Sequence, residues 1–149
     1  MTILTRLRVV NPARTLYHVR TMKKDTYTLD VRKWRCGTFY PTRLGEGNTL
    51  MLNDSGCMCC LGQFAKGRGV SEDVLLYAGA PCGVWRKAGH YDSRFVTPEG
   101  EDTQLACCLM AVNDGFSTPA EKIATIRRLL ADSGAELVVV DPDNILGGA

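Results

Sequence analysis

Residues 118–141 read TPAEKIATIRRLLADSGAELVVVD, which predicts a helix followed directly by a strand. Thr118, Pro119 and Glu121 have the order of a helix start, with an N-cap, a proline at the first helical position and a capping-box glutamate. Gly134 is the expected helix end, and the Leu and Val residues after it predict a central strand that is apolar on both faces. The buried stripe of the helix is expected at Ile123, Ile126, Leu129 and Leu130.

Weaker signals upstream predict further strands followed by further helices. Alternating or β-branched runs predict strands at residues 3–10, 15–21 and 49–52, and a strand or short helix within residues 26–35. Helices are expected after the cysteine cluster at 57–60, after Ser71 and across 102–112, whereas the Gly- and Pro-rich residues 79–100 are expected to be irregular. This order predicts a single α+β domain over residues 1–149, with a mostly antiparallel sheet of about four to five strands and helices packed on one face.

Charge is distributed unevenly along the chain, whose formal net charge is +2. Residues 1–45 carry ten Lys and Arg against two Asp, and residues 46–149 carry eight against fourteen Asp and Glu. We therefore expect a basic, β-rich half and an acidic, helical half. A basic face favours nucleic acid or an acidic partner, although basic residues on an edge strand also prevent strand-to-strand aggregation.

Trp34 lies among basic residues and is a candidate for binding nucleic acid or a protein partner. Its neighbours are Arg32, Lys33 and Arg35. An aromatic ring can stack on a base while the charges hold phosphate. The same pattern is found where a tryptophan is buried and the long basic side chains reach solvent.

The chain has seven cysteines, and three of them lie within four positions at Cys57, Cys59 and Cys60. Cys57 and Cys60 have Cys-x2-Cys spacing, and Cys82 with His90 would complete four zinc ligands. The same spacing occurs in redox sites. Cys59 or Cys60 at a helix start could act as a thiol nucleophile, with His90 as the general base that activates it.

The interpretation that the pattern favours is structural, with Cys59–Cys60 and Cys107–Cys108 packing as small apolar side chains between helices. No cofactor is then required, and zinc stays open as the alternative. Because no secretory leader is recognisable, the thiols are expected to be reduced and the compartment to be cytoplasmic.

Several segments resemble a group of small uncharacterised proteins from phages and prophages. The resemblance spans residues 30–141 and rests on these strings: Lys33-Trp34-Arg35-Cys36-Gly37, Leu50-Met51-Leu52, Cys59-Cys60-Leu61-Gly62, Gly69-Val70, and Met110-Ala111-Val112-Asn113-Asp114 followed by Thr118, Glu121 and Ile123. It implies a phage setting, the host cytoplasm and an α+β domain, but no activity. Cys57 and Cys82 lie outside the pattern, which weakens any mechanism that needs them.

The expected function is that of a small binding protein that modulates or inhibits a host protein, including a counter-defence role. This expectation rests on the resemblance, the charge asymmetry and the lack of a complete catalytic set, so an enzyme is not favoured. The alternatives are a nucleic-acid-binding module built on residues 1–45, and a cysteine-dependent enzyme or zinc protein. No apolar run reaches the ~20 residues needed to span a membrane, and the oligomeric state stays open.

Overall fold

The computed structural model describes residues 25–36, 51–141 and 143–147. Within these ranges the chain forms two strands and five α-helices. In chain order they are β1 (Asp25–Asp30), α1 (Cys60–Gly67), α2 (Glu72–Leu75), α3 (Pro81–Ala88), α4 (Gln104–Asp114), α5 (Pro119–Asp132) and β2 (Ala135–Val140), with a single-turn 3-10 helix at Val31–Lys33.

The two strands pair in parallel, from Asp25 opposite Ala135 to Asp30 opposite Val140. Side chains alternate across each strand, and one face of the pair is buried at Tyr27, Leu29, Ala135 and Leu137. Parallel strands need a long crossover connection, and here all five helices of the described region lie between them in sequence. Helix α1 packs on β1, α5 packs on β2, and α4 packs on both of these helices.

The expected fold class is wrong. The described residues contain a two-stranded parallel sheet in a small mixed α/β fold, and not a mostly antiparallel sheet of four to five strands. The expectation of a strand or short helix within residues 26–35 is met by β1 and the 3-10 helix at Val31–Lys33, but a local pattern carries no information about which strand β1 will pair with or in which direction. Two of the expected strands, at 3–10 and 15–21, lie outside the described residues.

The remaining strand predictions are also corrected. Of the expected strand at 49–52, residues 49 and 50 lie outside the described residues, and Leu52 forms an isolated bridge with Leu76. Strand β2 begins at Ala135 and pairs only with β1 among the described strands. Its expected burial on both faces is wrong as well, because Val138 is exposed.

The helix signals performed better where side-chain caps were present. The capping box of Thr118 and Glu121 is confirmed, and Gly134 follows the helix with a positive φ of 82°. Helix α4 begins after Thr103, whose hydroxyl accepts a hydrogen bond from the backbone N–H of Ala106. Helix α3 lies in the stretch that was expected to be irregular. It was not predicted because its N-cap residue, Ala80, offers no capping side chain.

One glycine fixes the position of α1. A Cβ atom on Gly62 would lie 1.8 Å from the carbonyl oxygen of Met51. Both the helix and the Met51 backbone are buried, so neither can move aside without opening the core. The cysteine cluster therefore begins a helix that packs directly against the backbone of Met51.

Candidate functional site

Asn113, near the end of α4, is the centre of a buried polar cluster. Its side-chain oxygen Oδ1 accepts hydrogen bonds from Trp34 Nε1 at 2.8 Å and from the backbone N–H of Cys60 at 3.1 Å. Its Nδ2 donates to the carbonyl oxygen of Arg35 at 3.0 Å. The fully buried Lys122 donates from Nζ to the Asn113 carbonyl oxygen at 2.7 Å. We call these five residues the Asn113 centre.

The Asn113 centre is a structural junction, because it joins α1, α4, α5 and the segment after the 3-10 helix. In the part of the chain that the structure describes, every buried side-chain nitrogen and oxygen has a hydrogen-bond partner. From the sequence, Asn113 was assigned no structural role. The available signal was spacing: Ala106, Leu109 and Asn113 share the buried stripe of α4.

Cys59 and Cys60 are buried, as the structural interpretation predicted. Cys59 is the N-cap of α1, and its Sγ accepts a hydrogen bond from the backbone N–H of Gly62 at 3.4 Å. Burial raises the pKa of the Cys59 thiol to about 12, and burial beside Cys59 raises the pKa of Cys60 well above its usual range. Both are neutral thiols at physiological pH, whereas a nucleophile must be a thiolate.

The prediction that Cys107 and Cys108 also pack as buried side chains is wrong. Cys107 is exposed and Cys108 is only half-buried, so they do not form a buried pair facing Cys59 and Cys60. Alternate burial along α4 places Ala106 and Leu109 in the core and turns the cysteines between them outward.

The residues proposed as zinc ligands lie in different surroundings. Cys60 is fully buried, Cys57 and Cys82 are half-buried, and His90 is exposed. His90 lines a surface pocket formed with Arg68 and Arg94, while Cys60 lines a different, small pocket beside α4. Across the described ranges, no three His, Cys, Asp or Glu side chains are grouped to hold a metal ion. A zinc site and a Cys59–His90 or Cys60–His90 catalytic pair stay predictions from sequence alone.

Trp34 is buried at 8% exposure, and its indole N–H is held by Asn113. It is therefore not placed to stack on a nucleic-acid base. Arg32 is exposed and forms a two-point ion pair with Asp30, with Nε–Oδ1 at 3.0 Å and Nη2–Oδ2 at 2.8 Å. Lys33 is exposed and makes no salt bridge to another described residue.

An apolar groove of about 260 Å³ lies beside this basic turn. Its lining is Val31, Trp34, Cys36, Pro119, Ile145 and Leu146, together with Thr118 and Ala120. Ile145 is 51% exposed at its edge. Phe116, which precedes the lining residue Thr118 by two positions, is 85% exposed. A large apolar side chain that remains in water at the edge of a groove, as Ile145 does, is typical of interaction surfaces.

A second cavity, of about 340 Å³, is lined by charged side chains and is here called the charged pocket. It is formed by Asp25, Arg68, Val70, His90, Tyr91, Asp92, Ser93 and Arg94. Arg94 Nη1 donates to Asp25 Oδ2 at 2.5 Å. Arg68 lies over the ring of Tyr27, 4.8 Å from its centroid, and its nearest carboxylate oxygens are at 3.5 Å on Asp25 and 3.6 Å on Asp92.

The electrostatics of the charged pocket follow from these contacts. The hydrogen bond and charge of Arg94 hold the pKa of Asp25 below its ordinary value. Burial, and then the hydrogen bond of 2.5 Å to Asp92, raise the pKa of Tyr27. Sequence reasoning identified only His90 here, because the other charged residues come from separate segments with no shared spacing.

No family model, curated protein or solved structure matches this chain. A search of the described residues finds no helix long and apolar enough to cross a membrane.

Proposed function

We propose that this protein acts by binding another protein through the apolar groove, in the phage setting that the sequence resemblance implies. The observation that carries the proposal is the groove with a buried tryptophan in its lining and the exposed Ile145 at its edge. A second exposed apolar side chain, Phe116, lies two residues before the lining residue Thr118. Interfaces of this kind take an aromatic or aliphatic anchor into the groove and surround it with polar contacts.

The chemistry of the partner follows from the rim of the groove. Lys33 adjoins the lining residue Trp34, is exposed and lacks a salt bridge within the described region. Arg32 beside it is already paired with Asp30. The surface therefore fits a peptide segment that carries an apolar anchor next to an Asp or Glu, whose charge would speed association and fix orientation. On the phage hypothesis the natural partner is a host protein that displays such a segment and is modulated or inhibited when it is covered.

Binding of nucleic acid by the same region is the weaker hypothesis. Recognition of single strands depends on exposed aromatic platforms together with basic side chains. The basic side chains at positions 32 and 33 are present, but the aromatic between them and Arg35 is engaged in the core.

The test is selection of random peptides on the immobilised protein, followed by affinity measurement on purified peptides. We expect enriched peptides with an aromatic or aliphatic residue beside an acidic one. The double variant Phe116→Ala/Ile145→Ala should bind them at least about thirtyfold more weakly, because loss of an anchor contact is worth about 2 kcal/mol. Tyr77→Ala removes another exposed aromatic outside the groove and should leave affinity unchanged.

Equal binding by the double variant, or no enrichment at all, would reject the groove as a protein-binding site. If the peptides bind as expected, lysate capture with the wild type, the double variant and the Tyr77→Ala control would identify the natural partner. Tight binding to DNA or RNA, with an affinity that falls steeply as the salt concentration rises, would instead support the hypothesis of nucleic-acid binding.

A further inference from the structure

We propose that the charged pocket binds a small zwitterion of the α-amino acid class, with its carboxylate on Arg68 and its ammonium on Asp25. This site is separate from the groove, so it neither rests on the proposed protein-binding function nor depends on its outcome.

Charge balance selects a zwitterion over an anion or a cation. The pocket holds two guanidinium groups, Arg68 and Arg94, and two carboxylates, Asp25 and Asp92. These four charges cancel. A simple anion would gain from the arginines and lose to the aspartates, and a simple cation would do the reverse. A ligand with both charges can place each one against its opposite.

The accessible partners are one residue of each sign. Asp92 is 13% exposed, with Oδ2 held by Tyr27 and Oδ1 by the backbone N–H of Arg94. Asp25 is 42% exposed and Arg68 39% exposed. The separation of 3.5 Å between Arg68 and Asp25 exceeds the roughly 2.7–2.9 Å of a charge-assisted hydrogen bond. Asp25 Oδ2 is bound by Arg94 Nη1 at 2.5 Å, so the groups of this loose pair with donors and acceptors to spare are Arg68 and the Oδ1 of Asp25.

The spacing of the loose pair fits the ligand. In an α-amino acid the ammonium nitrogen and the carboxylate oxygens branch from one carbon and lie about 3 Å apart by standard bond lengths. That spacing matches the Arg68–Asp25 separation, so the ligand's two charges can lie antiparallel to those of the protein. Arg68 is held in place by its stacking on Tyr27. Val70 and Tyr91 give the pocket an apolar wall against which a side chain can pack.

The experiment uses L-leucine and two matched half-ligands, observed through backbone amide chemical shifts of the labelled protein. One half-ligand, 4-methylpentanoate, lacks the ammonium, and the other, 3-methylbutylamine, lacks the carboxylate. We expect leucine to shift the amides of residues 68–70 and 90–94, and to bind at least tenfold more tightly than either half-ligand. Equal affinity for leucine and one half-ligand would overturn the zwitterion assignment. The absence of shifts in the pocket up to the solubility limit of leucine would overturn the site.

Variants then separate the two charges. Arg68→Gln and Asp25→Asn should each weaken leucine binding at least tenfold, while Arg128→Gln, an exposed arginine on α5 outside the pocket, should leave it unchanged. If Arg68→Gln proves unstable, Arg68→Lys keeps the charge but loses the planar fork and should weaken binding to a smaller degree. Unchanged binding in folded Arg68 and Asp25 variants would refute the proposal.

Discussion

The Asn113 centre and the charged pocket are two polar clusters of one chain that differ in how closely their polar groups are paired. In the Asn113 centre each polar group meets a partner at hydrogen-bond distance inside the core. In the charged pocket the arginines and aspartates adjoin an open cavity, and Arg68 sits beyond hydrogen-bond distance from its carboxylates. Saturated burial stabilises a structure and leaves nothing to offer a ligand, whereas loose pairs in a cavity can exchange partners.

Thiol labelling gives the largest expected contrast. The Cys59 pKa of about 12 lies three units above the ordinary 9.0, so its thiolate fraction at neutral pH is about a thousandfold lower, before burial slows labelling further. Exposed Cys107 should react first with an alkylating reagent, and Cys59 and Cys60 should react last, as read by mass spectrometry of digested protein. Rapid native labelling of Cys59 or Cys60 would break the contrast and revive the nucleophile hypothesis.

Asn113→Ala should produce the largest loss of folding free energy. The change strands the indole N–H of Trp34, the N–H of Cys60 and the carbonyl of Arg35 inside the core, and we expect a loss of about 3 kcal/mol or more in urea unfolding. Asn53→Ala is the matched control, because Asn53 accepts hydrogen bonds from Ser55 and Cys57 in an exposed turn. The control should lose about 1 kcal/mol, and similar losses in both variants would remove the special status of the Asn113 centre.

Gly62→Ala tests the close contact that brings α1 to the Asn113 centre. The new methyl group would overlap the Met51 carbonyl, and overpacking of this kind destabilises by about 1–3 kcal/mol. Gly67→Ala in the same helix meets open space and should be neutral or slightly stabilising, because alanine is the better helix former. The comparison of the two unfolding curves cancels the propensity effect, and a stabilised Gly62→Ala variant would contradict the contact.

The smallest expected effect is the pH dependence that the charged pocket contributes. The pKa of Asp25 in the folded protein lies below its ordinary value of 3.8 because of Arg94. Ionised Asp25 therefore stabilises the fold above that ordinary value, and the contribution disappears as the pH falls through the folded pKa. Wild type and Asp25→Asn should differ slightly in melting temperature at pH 7 and converge in acid. A gap that does not narrow at all as the pH falls below 3.8 would show that Asp25 acts by something other than its charge.

Local chemistry made some elements predictable and left others hidden. The capping box of α5 depends on a few adjacent residues, so it was predicted, and a local pattern also predicted a strand or short helix within residues 26–35, where β1 and the 3-10 helix lie. The start of α3 has a proline but no capping side chain, and it was missed. The pairing of β1 with β2 depends on residues far apart in sequence, and no local pattern encodes it.

The same distinction applies to the sites. Burial of Cys59 and Cys60 followed from their apolar neighbours, but the outward turn of Cys107 depended on the exact helical phase of α4. The Asn113 centre was readable in principle as an asparagine on a buried stripe, and Lys122 as a lysine on another. The charged pocket was not readable, because Asp25, Arg68 and Arg94 come together only through the fold.

The pairing of Asp25–Asp30 with Ala135–Val140 also has a consequence for biosynthesis. While the chain is being translated, Tyr27 and Leu29 emerge from the ribosome long before the strand that completes their sheet. The helices can form in order as they appear, but the sheet cannot close until residue 140 has left the exit tunnel. Until then the edge of β1 that pairs with β2 has no partner strand and is open to chaperones, and the release of β2 determines when that exposure ends.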